Sequence, residues 1–259
     1  MPEGDTVWQA ARLLDRALSG KTLRRCDIRV PTFATVDLAG QVVDSAVSRG
    51  KHLLIRVGDF DVHTHLKMEG QWQIHPVGSR WRRPAHQARI VFATDDVEAV
   101  GFSLGVTEVF ARAEESERLA YLGPDLLGPD WDPARAVRNL RADPDRLIGT
   151  TLLDQRNLAG IGNEYLAEVC FLRGVDPRRP AGEVGDVTAL VDLAHRLFTA
   201  NRDRPIRTTT GDTRRGRRTW VYGRANLPCR RCGTTIETGM LGDDPTRERR
   251  LFVCPHCQR

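Results

Sequence analysis

The sequence predicts an α+β fold in two domains: an N-terminal helix with an antiparallel β-sandwich, then a helical domain that ends in a four-cysteine zinc hairpin. Three observations support this prediction. Short β-type runs recur at intervals of roughly ten residues between positions 21 and 111. Apolar residues recur with the helical period between positions 133 and 201. Four cysteines form two closely spaced pairs near the C-terminus.

The first predicted element is a helix that begins at Asp5 or Thr6 and stops at Gly20. Its apolar residues share one face: Val7, Ala11, Leu14 and Leu18. The β runs follow at Thr22–Val30, Gln41–Ser48, His52–Val57, Asp61–Leu66, Gln71–His75, Ala88–Ala93, Val97–Phe102 and Val106–Phe110. Glycine and aspartate between these runs favour turns, as in an antiparallel sandwich or barrel.

The second half of the chain is predicted to be helical, at Pro133–Arg141, Leu147–Asn157, Asn163–Leu172 and Asp186–Asn201. A glycine-rich turn at 158–162 separates the second helix from the third. The segment Thr208–Arg218 is basic and contains no apolar residue, so we expect a mobile loop there. The predicted boundaries are 1–115 for the sandwich domain, 116–132 for a linker that contains Gly-Pro-Asp twice, 133–220 for the helical domain and 221–259 for the zinc finger.

Composition favours a globular protein with a polyanionic partner. Of the 259 residues, 40% are hydrophobic and 28% are charged. No apolar run approaches the ~18 residues of a membrane span, and the N-terminus lacks a signal-peptide pattern, so we expect a cytoplasmic protein without a membrane partner. The net charge is +5, and ten arginines but only two acidic residues lie between Asn201 and Arg231. This clustering, more than the arginine total, favours a polyanion.

The cysteine spacing indicates a structural metal site. Cys229, Cys232, Cys254 and Cys257 form the pattern C-x2-C-x21-C-x2-C. Four thiolates from two such pairs complete a tetrahedral Zn²⁺ site and leave no position for a catalytic water. Reduced or redox-active thiols are the alternative. His256, between the last two cysteines, is expected to be a spacer, not a ligand.

The first residues contain a candidate nucleophile. If Met1 is removed, Pro2 carries the free α-amine, whose ordinary pKa of roughly 8 leaves part of it uncharged near neutrality. As a secondary amine it would form an iminium that retains its positive charge and acts as an electron sink. Glu3 beside it can move a proton as a general acid or base. An ordinary Met-Pro start without function is the alternative.

Four further positions have both a functional and an ordinary interpretation. The turn 157–163 can present backbone N–H groups to a phosphate, or it can be a plain helix–turn–helix contact. Asn163 can cap the helix that it opens. Lys51 lies in a short loop between two strands, and Arg249 lies near the tip of the predicted hairpin. Each of these two charges can contact phosphate or can simply be solvated.

Together these motifs resemble the formamidopyrimidine-DNA glycosylase/endonuclease VIII family, and in particular endonuclease VIII-like enzymes of actinobacteria. The resemblance spans nearly the whole chain. The motifs are MPEGDTVW at residues 1–8, RGKHL at 49–53, LLDQR at 152–156, GIGN at 160–163, VYGR at 221–224 and CPHCQ at 254–258.

The resemblance implies a two-domain enzyme whose second domain contains a helix–two-turns–helix, with DNA in the cleft between the domains. By motif position, Pro2 would attack C1′ of the damaged nucleoside and Glu3 would be the general acid. Lys51 would complete the catalytic group and, with Asn163 and Arg249, would hold the DNA backbone around the lesion.

The resemblance further implies a bifunctional DNA glycosylase and AP lyase of base excision repair that acts by β,δ-elimination. Met68 is similar to the side chain that fills the void left by the flipped base. Relatives that act on oxidised purines carry an arginine and a phenylalanine in the loop corresponding to about 102–109, and this chain lacks that pair. We therefore expect oxidised pyrimidines as substrates.

Alternatives to this activity are the same chemistry mainly on abasic sites or oxidised purines, or a non-catalytic, zinc-stabilised DNA-binding module. The expected partner is damaged double-stranded DNA, with single-stranded or bubble DNA as an additional candidate. The protein is expected to be a monomer at the nucleoid and to hold one structural Zn²⁺.

Overall fold

The computed structural model of the chain describes residues 2–243 and 248–259. Met1, and with it the predicted removal of that residue, lies outside the described residues. The chain divides into two compact units, Met1–Tyr121 and Leu122–Arg259. The predicted fold class is confirmed, with two antiparallel sheets in the first unit and helices and a four-cysteine hairpin in the second. Among the described residues, no helix has the length and apolar character to cross a membrane.

Helix α1 spans Gly4–Leu18 and so begins slightly earlier than its sequence predicts. The four apolar residues expected on one face are all buried. Glu3 occupies the N-cap position in an extended conformation, with φ −123° and ψ −173°. Gly20 has φ +76°, a left-handed conformation that glycine adopts readily and that ends the helix.

Two four-stranded antiparallel sheets form the rest of the first unit. The first sheet has the order β2-β3-β4-β8, with β2 at Val43–Arg49, β3 at His52–Val57, β4 at Phe60–His65 and β8 at Val106–Ala111. The second has the order β1-β6-β7-β5, with β1 at Arg25–Ile28, β5 at Gln71–Pro76, β6 at Ala88–Ala93 and β7 at Val97–Phe102. A short helix, α2, at Glu115–Leu119, follows β8.

One apolar core joins the two sheets and α1. Side chains alternate along each strand, so one set from each sheet points inward. Leu53 and Ile55 of β3 meet Ile90 and Phe92 of β6 in this core, together with Leu14 of α1. The core therefore fixes the start of α1 relative to the turns that join the strands.

The second unit contains four helices in its described part: α3 at Pro133–Leu140, α4 at Ile148–Leu153, α5 at Asn163–Arg173 and α6 at Val187–Asn201. Helix α4 ends four residues before the predicted end because Asp154 turns the chain. Its carboxylate accepts from the backbone N–H of Arg156 at 3.1 Å, and its carbonyl accepts from Asn157 at 2.9 Å. The stretch assigned to a linker, 116–132, starts inside α2, and it buries Leu122 and Leu126 in the second unit.

The segment Thr208–Arg218, predicted to be a mobile loop, has no helix or strand and is exposed from 213 to 218, but hydrogen bonds hold its start, and its mobility stays a prediction. Thr208 and Thr209 are buried. The backbone N–H of Thr208 donates to the side-chain oxygen of Asn201 at 2.9 Å, and that of Thr209 donates to the carbonyl of Arg218 at 2.9 Å. The sequence suggested mobility because the segment lacks apolar residues, but its threonine hydroxyls and backbone groups satisfy one another.

The chain ends in a β-hairpin formed by β9 at Glu237–Leu241 and β10 at Arg249–Val253. Ile236 and Phe252 pack with Ala167 and Phe171 of α5 in a small core that also includes two of the cysteines. Residues 244–247 between the strands lie outside the described part. The hairpin thus depends on α5 and on the cysteine cluster for its position.

Candidate active site and metal centre

Pro2 and Glu3 stand immediately before helix α1. Pro2 is half-buried, whereas Glu3 has no exposed surface. The carbonyl of Glu3 accepts from the backbone N–H of Val7 at 3.0 Å, which fixes the residue to the first turn. The positive end of the helix dipole favours a carboxylate at this position. Removal of Met1 would therefore place a secondary amine next to a buried carboxyl group.

Lys51 lies in the two-residue turn between β2 and β3. Arg49 and His52 are the last paired residues of this hairpin, so Gly50 and Lys51 are its central residues. Gly50 has φ +55°, and Lys51 is not in the left-handed region. A turn with only its first central residue at positive φ is of type II′, which demands glycine there. The local sequence thus determines where the Lys51 side chain begins.

Met68 is 67% exposed, on the connection between β4 and β5. Lys67 before it adopts φ +51°, which is unusual for a residue with a side chain. The stem of Lys67 also covers Gly105, where an added Cβ would lie 2.1 Å from its Cγ. The Met68 connection and the β7–β8 turn are therefore packed together.

The β7–β8 turn consists of Ser103, Leu104 and Gly105. Leu104 is buried in the core, and Ser103 has φ +48°. This turn lies in the stretch at about 102–109, which lacks the arginine and phenylalanine pair described above. No side chain of this short turn resembles that pair in size or charge.

A cluster of histidines that the sequence analysis missed lies beside Lys51. His52, His63 and His65 come from β3 and β4, and His52 pairs directly with His65 across the sheet. The side chains of His52 and His63 hydrogen-bond at 2.8 Å, and His63 meets Glu108 of β8 at 2.9 Å. An H-x-H pattern within a strand places both rings on one face, and this signal was available in the sequence.

In the second unit, the glycine-rich turn uses several of its own N–H groups internally. The N–H of Gly160 donates to the side-chain oxygen of Gln155 at 3.0 Å. Those of Leu158 and Ala159 donate to the carbonyls of Asp154 and Pro124, at 3.2 and 2.9 Å. The hypothesis that these groups face outward to a phosphate is wrong for these three residues. Gly160, at φ +101°, is required by the backbone path.

Asn163 is the first residue of α5, and Gly162 is its N-cap, so the expectation that Asn163 caps the helix is wrong. The Asn163 side chain is nearly buried, and its Nδ2 donates to the carbonyl of Arg250 at 2.8 Å. This bond ties the start of α5 to the first residues of β10. Arg249 is the exposed first residue of that strand. The structure therefore places Asn163 and Arg249 in the same region of the second unit.

Glu168 is a second residue that the sequence analysis missed. It is completely buried, and its carboxylate accepts from the Thr209 hydroxyl and from three consecutive backbone N–H groups, those of residues 220–222, at 2.7–2.9 Å. Burial raises the pKa of Glu168, and these donors oppose that shift. Its sequence signal is a single carboxylate inside an otherwise apolar buried stretch of α5.

The four cysteines converge on one point. Their sulfur atoms all lie within 4.8 Å of one another, with 3.5 Å between Cys232 and Cys254 and 4.0 Å between Cys229 and Cys257. Tetrahedral coordination with Zn–S bonds of ~2.3 Å requires sulfur atoms roughly 3.8 Å apart. Both measured separations are close to that value. The cluster is thus suited to bind a metal ion through four thiolates.

Comparison with known proteins agrees with this architecture. The model of the formamidopyrimidine-DNA glycosylase N-terminal domain matches residues 1–103, and that of the formamidopyrimidine-DNA glycosylase H2TH domain matches residues 122–200. The chain is 56% identical to a probable endonuclease 8 2 of Streptomyces coelicolor, covering all of this chain and 94% of the relative. It is 53% identical to the DNA-(apurinic or apyrimidinic site) lyase Nei2 of Mycolicibacterium smegmatis, covering all of this chain and 99% of the relative.

Solved structures share the fold at lower sequence identity. MutM in complex with DNA that contains carbocyclic 8-oxo-G superposes with a TM-score of 0.83 at 22% identity, over all of both chains. The Lactococcus lactis Fpg in complex with abasic-site DNA gives the same TM-score and identity over 99% of both chains. At this identity the likeness establishes the fold alone.

Proposed function

The chain belongs to the formamidopyrimidine-DNA glycosylase family, and we propose that it removes oxidised pyrimidines from DNA through a Schiff base at Pro2. It is a DNA glycosylase and AP lyase of base excision repair, as its full-length relatives with endonuclease 8 and lyase names indicate. The observation that supports the mechanism most is the position of Pro2 next to the buried Glu3 at the start of α1, where removal of Met1 would leave a secondary amine.

The first step exchanges one C1′–N bond for another. The Pro2 nitrogen attacks C1′ of the extruded nucleotide, and the bond from C1′ to the damaged base breaks. Glu3 is the proton carrier in this step, because its carboxyl group is adjacent to Pro2 and is shielded from water. Opening of the sugar ring at O4′ then leaves an iminium between Pro2 and C1′.

The second step uses the positive charge of that iminium. The charge acidifies the hydrogens at C2′, so loss of a C2′ proton expels the 3′ phosphate by β-elimination. A further elimination expels the 5′ phosphate. Water then hydrolyses the iminium and regenerates the Pro2 amine. The non-catalytic alternative would lack these covalent steps.

Three cationic or amide side chains are proposed to hold the DNA backbone: Lys51 in the first unit, and Asn163 and Arg249 in the second. Lys51 has a defined origin in its type II′ turn. Asn163 and Arg249 lie close together through the hydrogen bond to Arg250. Charged and amide donors of this kind contact phosphates and so fix the register of a protein on DNA.

The short β7–β8 turn supports the choice of pyrimidine lesions. Ser103, Leu104 and Gly105 offer no large side chain, and Leu104 is already buried. Met68, which is 67% exposed, is then the proposed filler of the space left by the flipped base. A site with a single filler places few demands on the opposite strand, so bubble and single-stranded DNA are further candidate substrates.

We propose that the four-cysteine cluster binds one structural Zn²⁺. Cys229, Cys232, Cys254 and Cys257 would hold it, and the sulfur separations fit that geometry. When bound, the ion crosslinks the two ends of the hairpin that carries Arg249. Because the substrate is DNA, we further propose that the protein acts at the nucleoid and that it is a monomer.

Borohydride trapping tests the mechanism. The protein is incubated with an abasic-site duplex and reductant, and the adduct is digested and analysed by mass spectrometry. We expect the sugar on the Pro2 nitrogen, with the Pro2→Ala variant forming far less adduct because a primary amine replaces the secondary one. An adduct on another residue would overturn the proposed nucleophile, and no adduct at all would favour the non-catalytic module.

The same assay with different lesions tests the substrate class. Duplexes that contain thymine glycol, 5-hydroxyuracil or 8-oxoguanine are compared at equal concentration, in duplex and single-stranded form. We expect adduct from the two pyrimidine lesions at a higher rate than from 8-oxoguanine. A faster rate on 8-oxoguanine would show that the short β7–β8 turn does not exclude purine lesions.

A further inference from the structure

Four side chains on the outer face of the first sheet form one continuous hydrogen-bonded chain. The Tyr121 hydroxyl lies 2.9 Å from Nε2 of His52. Nδ1 of His52 lies 2.8 Å from Nε2 of His63, and Nδ1 of His63 lies 2.9 Å from Oε2 of Glu108. Each ring nitrogen of both histidines is therefore engaged. The core side chains Leu53 and Ile55 point to the opposite face of the same strand.

The carboxylate of Glu108, at one end of these hydrogen bonds, determines which group donates in each of them. An ionised carboxylate only accepts, so Nδ1–H of His63 must donate to Glu108. With His63 neutral, its Nε2 has no proton and accepts from Nδ1–H of His52. Nε2 of His52 is then also unprotonated and accepts the Tyr121 hydroxyl. One carboxylate thus determines the tautomers of two histidines.

The surroundings of His52 keep it neutral. Burial, followed by the nearby His63, His65 and Lys67, lowers the pKa of His52 to about 3, whereas Glu108 opposes the shift. His52 therefore has one fixed donor and one fixed acceptor near neutral pH. Nε2 of His52 therefore accepts the hydrogen bond from the Tyr121 hydroxyl throughout the range near neutral pH.

The hydrogen-bonded chain from Tyr121 to Glu108 connects two parts of the first unit. His52 directly follows Lys51 and closes its turn by pairing with Arg49. Tyr121 is the last residue of the first unit and is 50% exposed. Glu108 and His63 face each other directly across β8 and β4. The far end of this hydrogen-bonded chain is thus anchored on the edge strand β8, and its near end reaches the turn of Lys51.

We propose that Tyr121, His63 and Glu108 are positioning residues that hold Lys51 in place through His52. This proposal rests on the function proposed above for Lys51. His52 is held at both ring nitrogens, so the first residue of β3 has little freedom, and the origin of the Lys51 side chain is fixed. The neutral His52 also spares the neighbouring ammonium group a second positive charge.

A double-mutant cycle tests the proposal. The rate of adduct formation on an abasic-site duplex is measured at saturating protein for Tyr121→Phe, for Lys51→Ala and for the double variant. Loss of one hydrogen bond corresponds to a rate reduction of about two- to tenfold in Tyr121→Phe. If Tyr121 acts through Lys51, the same substitution in the Lys51→Ala background should have almost no further effect.

The salt dependence of DNA affinity distinguishes a change in the position of Lys51 from the loss of its charge. Lys51→Ala should reduce the slope of log affinity against log salt by about 1, because a phosphate contact is lost. Tyr121→Phe should leave that slope unchanged, since the ammonium group remains. Glu108→Gln should reduce the rate as Tyr121→Phe does, whereas Glu117→Gln, at an exposed residue of the same unit, should not. Equal thermal unfolding of the variants establishes that the fold is intact.

The outcomes distinguish this proposal from the function on which it rests. An unchanged rate in Lys51→Ala would refute the role of Lys51 itself. A reduced rate in Lys51→Ala, with the same loss from Tyr121→Phe in both backgrounds, would refute only the positioning role. An unchanged rate in Tyr121→Phe alone would refute it as well.

Discussion

The two units of this protein fix their candidate site residues in different ways. In the first unit, Pro2, Lys51 and Met68 lie at the start of a helix and in tight turns around one large apolar core. In the second unit, the apolar core around the hairpin is small, and buried polar groups and thiolates position Asn163 and Arg249. Burial of apolar surface is sufficient to stabilise a large core, whereas a small core also requires hydrogen bonds or metal ligands.

Buried carboxylates show the same difference. Glu168 in the second unit is surrounded by donors from residues 209 and 220–222. Asp61 in the first unit is equally buried, but neither of its carboxyl oxygens forms a hydrogen bond within the described part of the chain. A buried carboxylate with donors organises the chain around it, whereas one without them lowers stability. The first unit tolerates this cost because its core is large.

Loss of the proposed zinc ion should have the largest effect. Binding of a structural zinc ion contributes on the order of 10 kcal/mol to the folded state of such a hairpin. Cys254→Ser should therefore abolish stoichiometric zinc and remove hydrogen-exchange protection from β9 and β10. The first unit should keep its protection, because its core contains none of these ligands.

Cys26→Ser is the matched control for this experiment, because Cys26 is half-buried and lies outside the cluster. It should retain both zinc and hairpin protection. Zinc content by elemental analysis and exchange by mass spectrometry provide the two measurements. A hairpin that stays protected without zinc would contradict the comparison, since it would show that the small core is sufficient.

Replacement of Glu168 should have an intermediate effect. In Glu168→Gln, one acceptor oxygen is replaced by an amide that cannot accept from the facing N–H groups. Leaving buried donors unpaired costs about 1–3 kcal/mol, so the unfolding free energy should fall by that amount, with exchange increased in residues 219–223. The exposed Glu183→Gln serves as a control for the loss of charge. Unaltered exchange at 219–223 would show that Glu168 does not hold this segment.

The sequence was most informative where one local pattern determines the outcome. The apolar face of α1, the strands of the sandwich and the cysteine pairs each follow from spacing within a short segment. The type II′ turn at Lys51 likewise requires little more than Gly50. These features position most of the candidate residues of the first unit.

Contacts between distant segments were not predictable in this way. Glu168 meets donors some fifty residues later, and Asn163 bonds to Arg250 across the second unit. The histidine chain requires knowledge of which strands are neighbours, because β8 is separated in sequence from β4. Buried threonines hold the start of the arginine-rich segment 208–218, a contact that its composition did not indicate. Polar groups satisfied over long distances leave little pattern in composition or period.

The smallest predicted effect is the change in stability with pH that one carboxylate in each unit causes. The sign of this change differs between the two carboxylates. Burial, followed by the neighbouring Glu115, raises the pKa of Asp61 to about 6, against Arg112 and Arg56. A carboxyl group whose pKa is raised on folding favours the folded state at low pH and loses that contribution as the pH rises through the folded-state pKa. In the second unit, Arg156 and Arg146 hold the pKa of Asp154 well below its ordinary range. Its contribution is therefore present above about pH 4 and lost in stronger acid.

Acidification from pH 7 to pH 5 should accordingly increase the contribution of Asp61 to the stability of the first unit by about 1 kcal/mol, because its pKa is raised to about 6. His52 and His65 act in the opposite direction, because their pKa values are lowered to about 3 and about 4, so only the unfolded chain takes up their protons over this range. The first unit as a whole should therefore lose stability, and the contribution of Asp61 is measured as a difference between variants. The second unit should gain nothing from Asp154 over this range. Urea unfolding followed by hydrogen exchange in each unit measures the two changes separately. Asp61→Asn should make the loss in the first unit about 1 kcal/mol larger, whereas Asp59→Asn, at an exposed position two residues away, should leave it unchanged. If Asp61→Asn showed the same pH dependence as the unsubstituted protein, another group would be responsible, and the buried Asp61 carboxylate, which has Arg112 at 3.6 Å but no hydrogen bond, would not distinguish the sandwich from the helical unit.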